Sequence, residues 1–208
     1  MNPVTLLLST LFVACLSWVL TPSEAVATEH DSIYVEVHIS AGQYEKWLKS
    51  PMRHMHDFND WGEMTDEWSP EWLQHYYKWD FATMADLIGT VKKEAAADEQ
   101  EFSWTSRPYV NYDAEAGIFT FAQLLYDENY INFMLDISAY RTLADFKDTD
   151  EPDFLVIYPF FWDPGYTVIL EIGRGYTKFH NQETAPAAFR DFIKKADAHF
   201  KAETERYE

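Results

Sequence analysis

Ile33-Tyr34-Val35-Glu36-Val37-His38-Ile39 places Ile33, Val35, Val37 and Ile39 on one side and Tyr34, Glu36 and His38 on the other. Successive side chains of an extended chain point to opposite faces, so this period of two predicts a half-buried strand. Ser40-Ala41-Gly42-Gln43 follows at once and has the S-x-x-Q form of a capping box, in which the Ser and Gln side chains satisfy unpaired backbone N–H groups. A short helix carrying Tyr44, Trp47 and Leu48 is therefore expected, ending before Pro51.

Downstream, residues 51–69 show no period and read as an irregular excursion. Ser69-Pro70-Glu71 is a helix start, with a capping hydroxyl, a proline where no N–H bond is needed and an acid at the positive end of the dipole. Leu73, Tyr76, Tyr77, Phe81, Met84, Leu87, Ile88 and Val91 then recur at helical spacing, predicting one long helix to about Ala97, with Gly89 as a break point. The period returns to two in the second half. Runs at 118–126 and 130–138 flank Asp127-Glu128-Asn129, and runs at 154–162 and 166–172 flank Asp163-Pro164-Gly165; both read as hairpins. Residues 102–110 add a candidate edge strand. Thr184 and Pro186 open a last helix with Phe189, Phe192, Ile193, Ala196 and Phe200 on one face.

The order β-α-α-β(n)-α predicts an α+β domain: an antiparallel sheet of five to six strands with helices on one face, including a C-terminal helix. That order resembles the helix-grip arrangement, in which a curved sheet wraps a long C-terminal helix. The likeness is one of topology and implies no function.

Residues 4–20 are almost wholly apolar and lead through Thr21-Pro22-Ser23 to Ala25-Val26-Ala27, the layout of an export signal with an A-x-A cleavage site. The expected organisation is a signal peptide at 1–27 and one globular domain at 28–208, periplasmic or secreted, with Cys15 in the discarded segment. The alternative is a retained anchor, against which the shortness of the apolar run counts. The domain then contains no cysteine, and a core of this size needs no disulfide.

The chain has 35 acidic and 16 basic residues, a net charge of −19. Only Glu24 lies in the expected signal, leaving 34 acids against 16 bases, or −18. Such a field repels phosphates, which counts against nucleic acid and, after signal cleavage, anionic membrane surfaces as partners, while a basic protein, a cation or a neutral small ligand remains open.

Several constellations carry possible chemistry. Met52, His54, Met55 and His56 combine soft ligands suited to copper; the alternative is a loop with core methionines and solvated histidines, which Arg53 within the cluster favours. Glu71 and His75 stand four apart, but Lys78 shares their face and opposes a cation. Asp57, Asn59 and Gly62 match part of a calcium loop that fails at Trp61 and Trp68; Asp148, Asp150 and Asp153 form a second acidic loop. Glu36, His38, Asp136 and Glu171 are general acid-base candidates if a cleft unites them, and solvated side chains if the sheet face is open. G-x-S-x-G, H-E-x-x-H, a Gly-rich phosphate loop and a cysteine nucleophile are absent, so no catalytic residue, cofactor or metal is assigned.

The expected recognition surface is 57–72: Asp57, Asp60, Glu63, Asp66, Glu67 and Glu71 without a single Lys or Arg, interleaved with Trp61, Trp68 and Trp72. Acids would steer a basic partner and rings would anchor it. The competing reading makes the tryptophans core plugs. The functional expectation is an exported, acidic, non-enzymatic binding protein of the inhibitor or immunity type. Its alternative is a small-molecule or carbohydrate binder, or an enzyme, with an aromatic-lined pocket, in which case His38 should lie in a deep aromatic cavity.

Overall fold

A computed structural model describes residues 31–64, 80–97, 107–127, 130–158 and 168–205. The expected signal at 1–27, the helix start at Ser69 and the turn at Asp163-Pro164-Gly165 lie outside these residues.

Six strands form one antiparallel sheet: β1 (Asp31–His38), β2 (Tyr109–Asp113), β3 (Ile118–Asp127), β4 (Asp153–Tyr158), β5 (Val168–Gly173) and β6 (Tyr176–His180), in the spatial order β2-β3-β1-β4-β5-β6. The helices are α1 (Ala41–Leu48), α2 (Met84–Ala95), α3 (Tyr130–Arg141) and α4 (Phe189–Thr204). The chain thus adopts the expected α+β class, with a C-terminal helix. The helices, however, divide between both faces rather than sharing one. Ile33, Val35 and Val37 pack with Trp47 of α1, Leu87 and Ile88 of α2 and Phe133 and Tyr140 of α3; Tyr34, Phe154, Val156 and Ile169 pack with Phe189, Phe192, Ala196 and Phe200 of α4. Covering both faces buries every residue of β4 and β5, which fits their nearly unbroken apolar runs.

Several elements differ from expectation. The chain at 130–138 is the start of α3, not a strand; 133–144 is buried without interruption, so from Phe133 onward this helix shows no solvent face and no helical period. α2 begins only at Met84, because Thr83 caps it: the Asp86 N–H donates to Thr83 Oγ1 while the Thr83 N–H donates to Asp86. Gly89 lies inside α2 without breaking it. An edge strand near 102–110 exists as β2, shifted to Tyr109–Asp113, and β6 was not anticipated. Ser40 occupies the N-cap position of α1, yet its hydroxyl makes no capping bond.

Candidate functional site

The last residue of β1 and the first of β4 meet at one end of the sheet. The Asp153 carboxylate, buried there, accepts the His38 backbone N–H at 2.8 Å, faces His38 Nδ1 at 2.7 Å and pairs with the Lys147 ammonium. A carboxylate only accepts, so Nδ1 carries the proton of that contact and Nε2 of the neutral ring is left as the acceptor. The hydrogen bond to Asp153 raises the His38 pKa above 6.5; the charges of Asp153 and Glu36 add to it, while partial burial and Lys147 oppose it. The Lys147 side chain is fully buried, and its ammonium also donates to Thr149 Oγ1 at 2.6 Å.

His38, Ser40, Glu115, Gly117, Asp148 and Thr149 line a cavity of about 460 Å³ at this end. Its walls are held by backbone. Asp113 Oδ1 accepts the N–H groups of Glu115 and Ala116, fixing the β2–β3 turn, and Gly117, at φ +66, accepts the Ile39 N–H at 2.8 Å. Ser40, freed from capping, instead binds Asp148: its hydroxyl and its N–H, the latter at 3.2 Å, hold that carboxyl below the usual range and hence ionised.

The expected surface at 57–72 is only partly presented. Asp66, Glu67, Trp68, Glu71 and Trp72 lie outside the described residues. Trp61 is 1% exposed and its Nε1–H donates to the Met55 carbonyl at 2.8 Å, so it is a core ring and not an exposed anchor. Asp60 is occupied by Arg141, which donates to it through both Nη atoms at 2.8 and 2.6 Å and through Nε to Thr177 at 2.9 Å. The Arg141 guanidinium lies 4.1 Å from the Phe58 ring centroid and 5.3 Å from that of Trp61. Asp57 accepts the His54 N–H at 2.7 Å, and Glu63 is exposed. The physical reason is that two 3-10 turns, Met55–Asp57 and Trp61–Glu63, fold residues 55–64 onto the core and turn Phe58 and Trp61 inward.

The other constellations separate likewise. Met52 and Met55 are core residues while His54 and His56 stack on one another, centroids 5.5 Å apart, so the soft ligands do not share a face with the imidazoles. Among the described residues no three His, Cys, Asp or Glu side chains converge as a metal site. Glu36 accepts from Tyr34 and from Lys195 of α4, Glu171 accepts from Tyr176 and faces His180, and Asp136 sits on buried α3. His38 therefore bonds Asp153 beside Lys147, and of the carboxylates grouped with it by sequence Glu36 reaches it through charge alone. A polar residue opening an apolar strand, as Asp153 opens Phe154-Leu155-Val156, was the available signal.

Comparison with protein families, curated proteins and solved structures yields no match for this chain.

Proposed function

We propose that this chain is an exported, acidic, non-enzymatic binding protein that engages a basic macromolecular partner, in the manner of an inhibitor or immunity protein, through the cavity beside His38. The supporting observation is the charge of its wall. Among the described residues, Glu115 and Asp148 line the cavity and no Lys or Arg does. The neighbouring cation, Lys147, is turned into the interior against Asp153, and Arg174 is drawn to Asp150 at 3.4 Å. An ionised Asp148 in a concave wall focuses the field of a strongly acidic chain on an incoming ammonium or guanidinium. The small-molecule alternative called for aromatic walls around His38. Among the described residues, the lining contains no Phe, Tyr or Trp, which favours the basic partner.

The test is affinity capture on the immobilised protein from its native extract. Retained proteins should be basic, should elute with salt, and should be lost from an E115Q/D148N variant, since both steering and contact depend on these charges. A partner retained equally by that variant and by high salt overturns the reading.

A further inference from the structure

The neutral His38 ring can take up a second proton at one place only. Nδ1 already faces Asp153 Oδ1 at 2.7 Å, and the Asp153 carboxylate is held there, because it also accepts the His38 N–H at 2.8 Å and pairs with the Lys147 ammonium. The second proton therefore enters at Nε2. That atom has no hydrogen-bond partner among the described residues and is not buried; 42% of the side chain is exposed, so the proton exchanges with solvent. Protonation changes the charge of the whole cluster. Lys147 and Asp153 cancel while His38 is neutral, and two cations face one anion once it is charged.

The charged groups around the ring come from each element that meets it: Asp153 from the start of β4, Glu36 from β1, and Lys147 from the chain that precedes β4. The Asp153 hydrogen bond, helped by the charges of Asp153 and Glu36, outweighs partial burial and Lys147 and holds the ring's pKa above 6.5. Across the cavity Asp148, kept below the usual carboxylate range by Ser40, stays ionised while His38 titrates.

We infer that His38 is a proton-operated gate on the cavity of Glu115 and Asp148, admitting a basic side chain of the partner when its ring is neutral and expelling it when the ring is charged. The inference rests on the reading of this cavity as a site for a basic group, and adds its regulation. Two changes act together. Protonation removes the acceptor at Nε2, and it sets a cation in a wall that otherwise presents carboxylates. Repulsion between unit charges several ångströms apart in a part-solvated cavity weakens binding about three- to tenfold. Linkage makes the effect reciprocal, so a bound cation must lower the His38 pKa by the same factor.

The experiment is a calorimetric titration with acetyl-tetra-arginine amide, whose guanidinium groups keep their charge at about pH 5.5 and at about pH 8.5. Wild type, H38Q and E115Q/D148N are compared, and the His38 pKa is read from its ring resonances with and without saturating peptide. Binding to wild type should be about three- to tenfold weaker at the lower pH, with a smaller ratio in H38Q, which isolates His38 from the other histidines. Saturating peptide should lower the His38 pKa, a readout that needs no substitution at the ring. An equal pH ratio in wild type and H38Q, or a His38 pKa that the peptide leaves unchanged, overturns the gate and leaves the cavity reading standing. Binding that E115Q/D148N does not weaken overturns the cavity reading, and the gate falls with it.

Discussion

His38 and Arg141 show how single side chains are committed by what lies behind them. The folded pKa of His38 is raised above its unfolded value, so the stability it contributes is fully present below about pH 6.5 and is lost as pH climbs through the folded value. Comparing wild type with His38→Gln by urea unfolding should give a constant difference at pH 5–6 that shrinks above pH 7; a difference that grows with pH would refute the assignment. Protonation also places a positive charge in the cavity wall, so capture of a basic partner should weaken over the same interval on acidification. Arg141 is 4% exposed and joins α3 to Asp60, to Thr177 and to the Phe58 and Trp61 rings. Arg141→Ala leaves Asp60 without its bidentate partner and should cost about 3 kcal/mol, most of it absent when Asp60→Ala is already in place. The inward turn of Trp61 belongs to this same contact. Its fate was illegible in sequence because Arg141, whose guanidinium lies over its ring, stands 80 residues away and just beyond the run at 130–138 that reads as a strand.

α4 presents one face to water and was legible from it, since Phe189, Phe192, Ala196 and Phe200 face the sheet while its lysines face out. β1 was legible from its alternation, although both its faces are buried and not the one that a half-buried strand would hide. α3 packs against β3 and the Met55–Asp57 turn, and its residues from Phe133 onward are buried whether apolar or polar, so no helical period marks it. The two-sided cover was nonetheless written in β4 and β5, since Leu155-Val156-Ile157 and Val168-Ile169-Leu170 are continuous rather than alternating. Glycines at the element scale give opposite predictions. Gly89 is exposed within α2 and a Cβ there meets nothing within 4 Å, so Gly89→Ala should stabilise by up to about 1 kcal/mol. Gly173 pairs with Tyr176 across the β5–β6 turn, and a Cβ would fall 2.1 Å from the Tyr176 ring. Gly173→Ala must displace that ring and its bond to Glu171, at a cost of about 1–3 kcal/mol. Thermal unfolding of both variants should show midpoints moving in opposite directions.

At the scale of the whole molecule, the net charge of −19 acts on the fold and on the proposed partner with opposite sign. The acids repel one another most when the chain is compact, so the field destabilises the native state, and the same field would draw the proposed basic partner toward the cavity of Glu115 and Asp148. Salt screens both. The ion pairs that hold the fold are less sensitive where they are buried, as Lys147–Asp153 and Arg141–Asp60 are, because added ions do not reach between them. Raising NaCl from about 0.05 to 0.5 M, which shortens the screening length from more than 10 Å to less than 8 Å, should therefore raise the unfolding midpoint. Capture of the partner should fall over the same range. Parallel thermal melts and binding measurements across one salt series distinguish this from an apolar interface, for which added salt would leave capture unchanged or strengthen it. If the midpoint falls with salt, exposed ion pairs such as Lys194–Asp191 outweigh the global repulsion, and the acidity is locally compensated rather than a field available for steering.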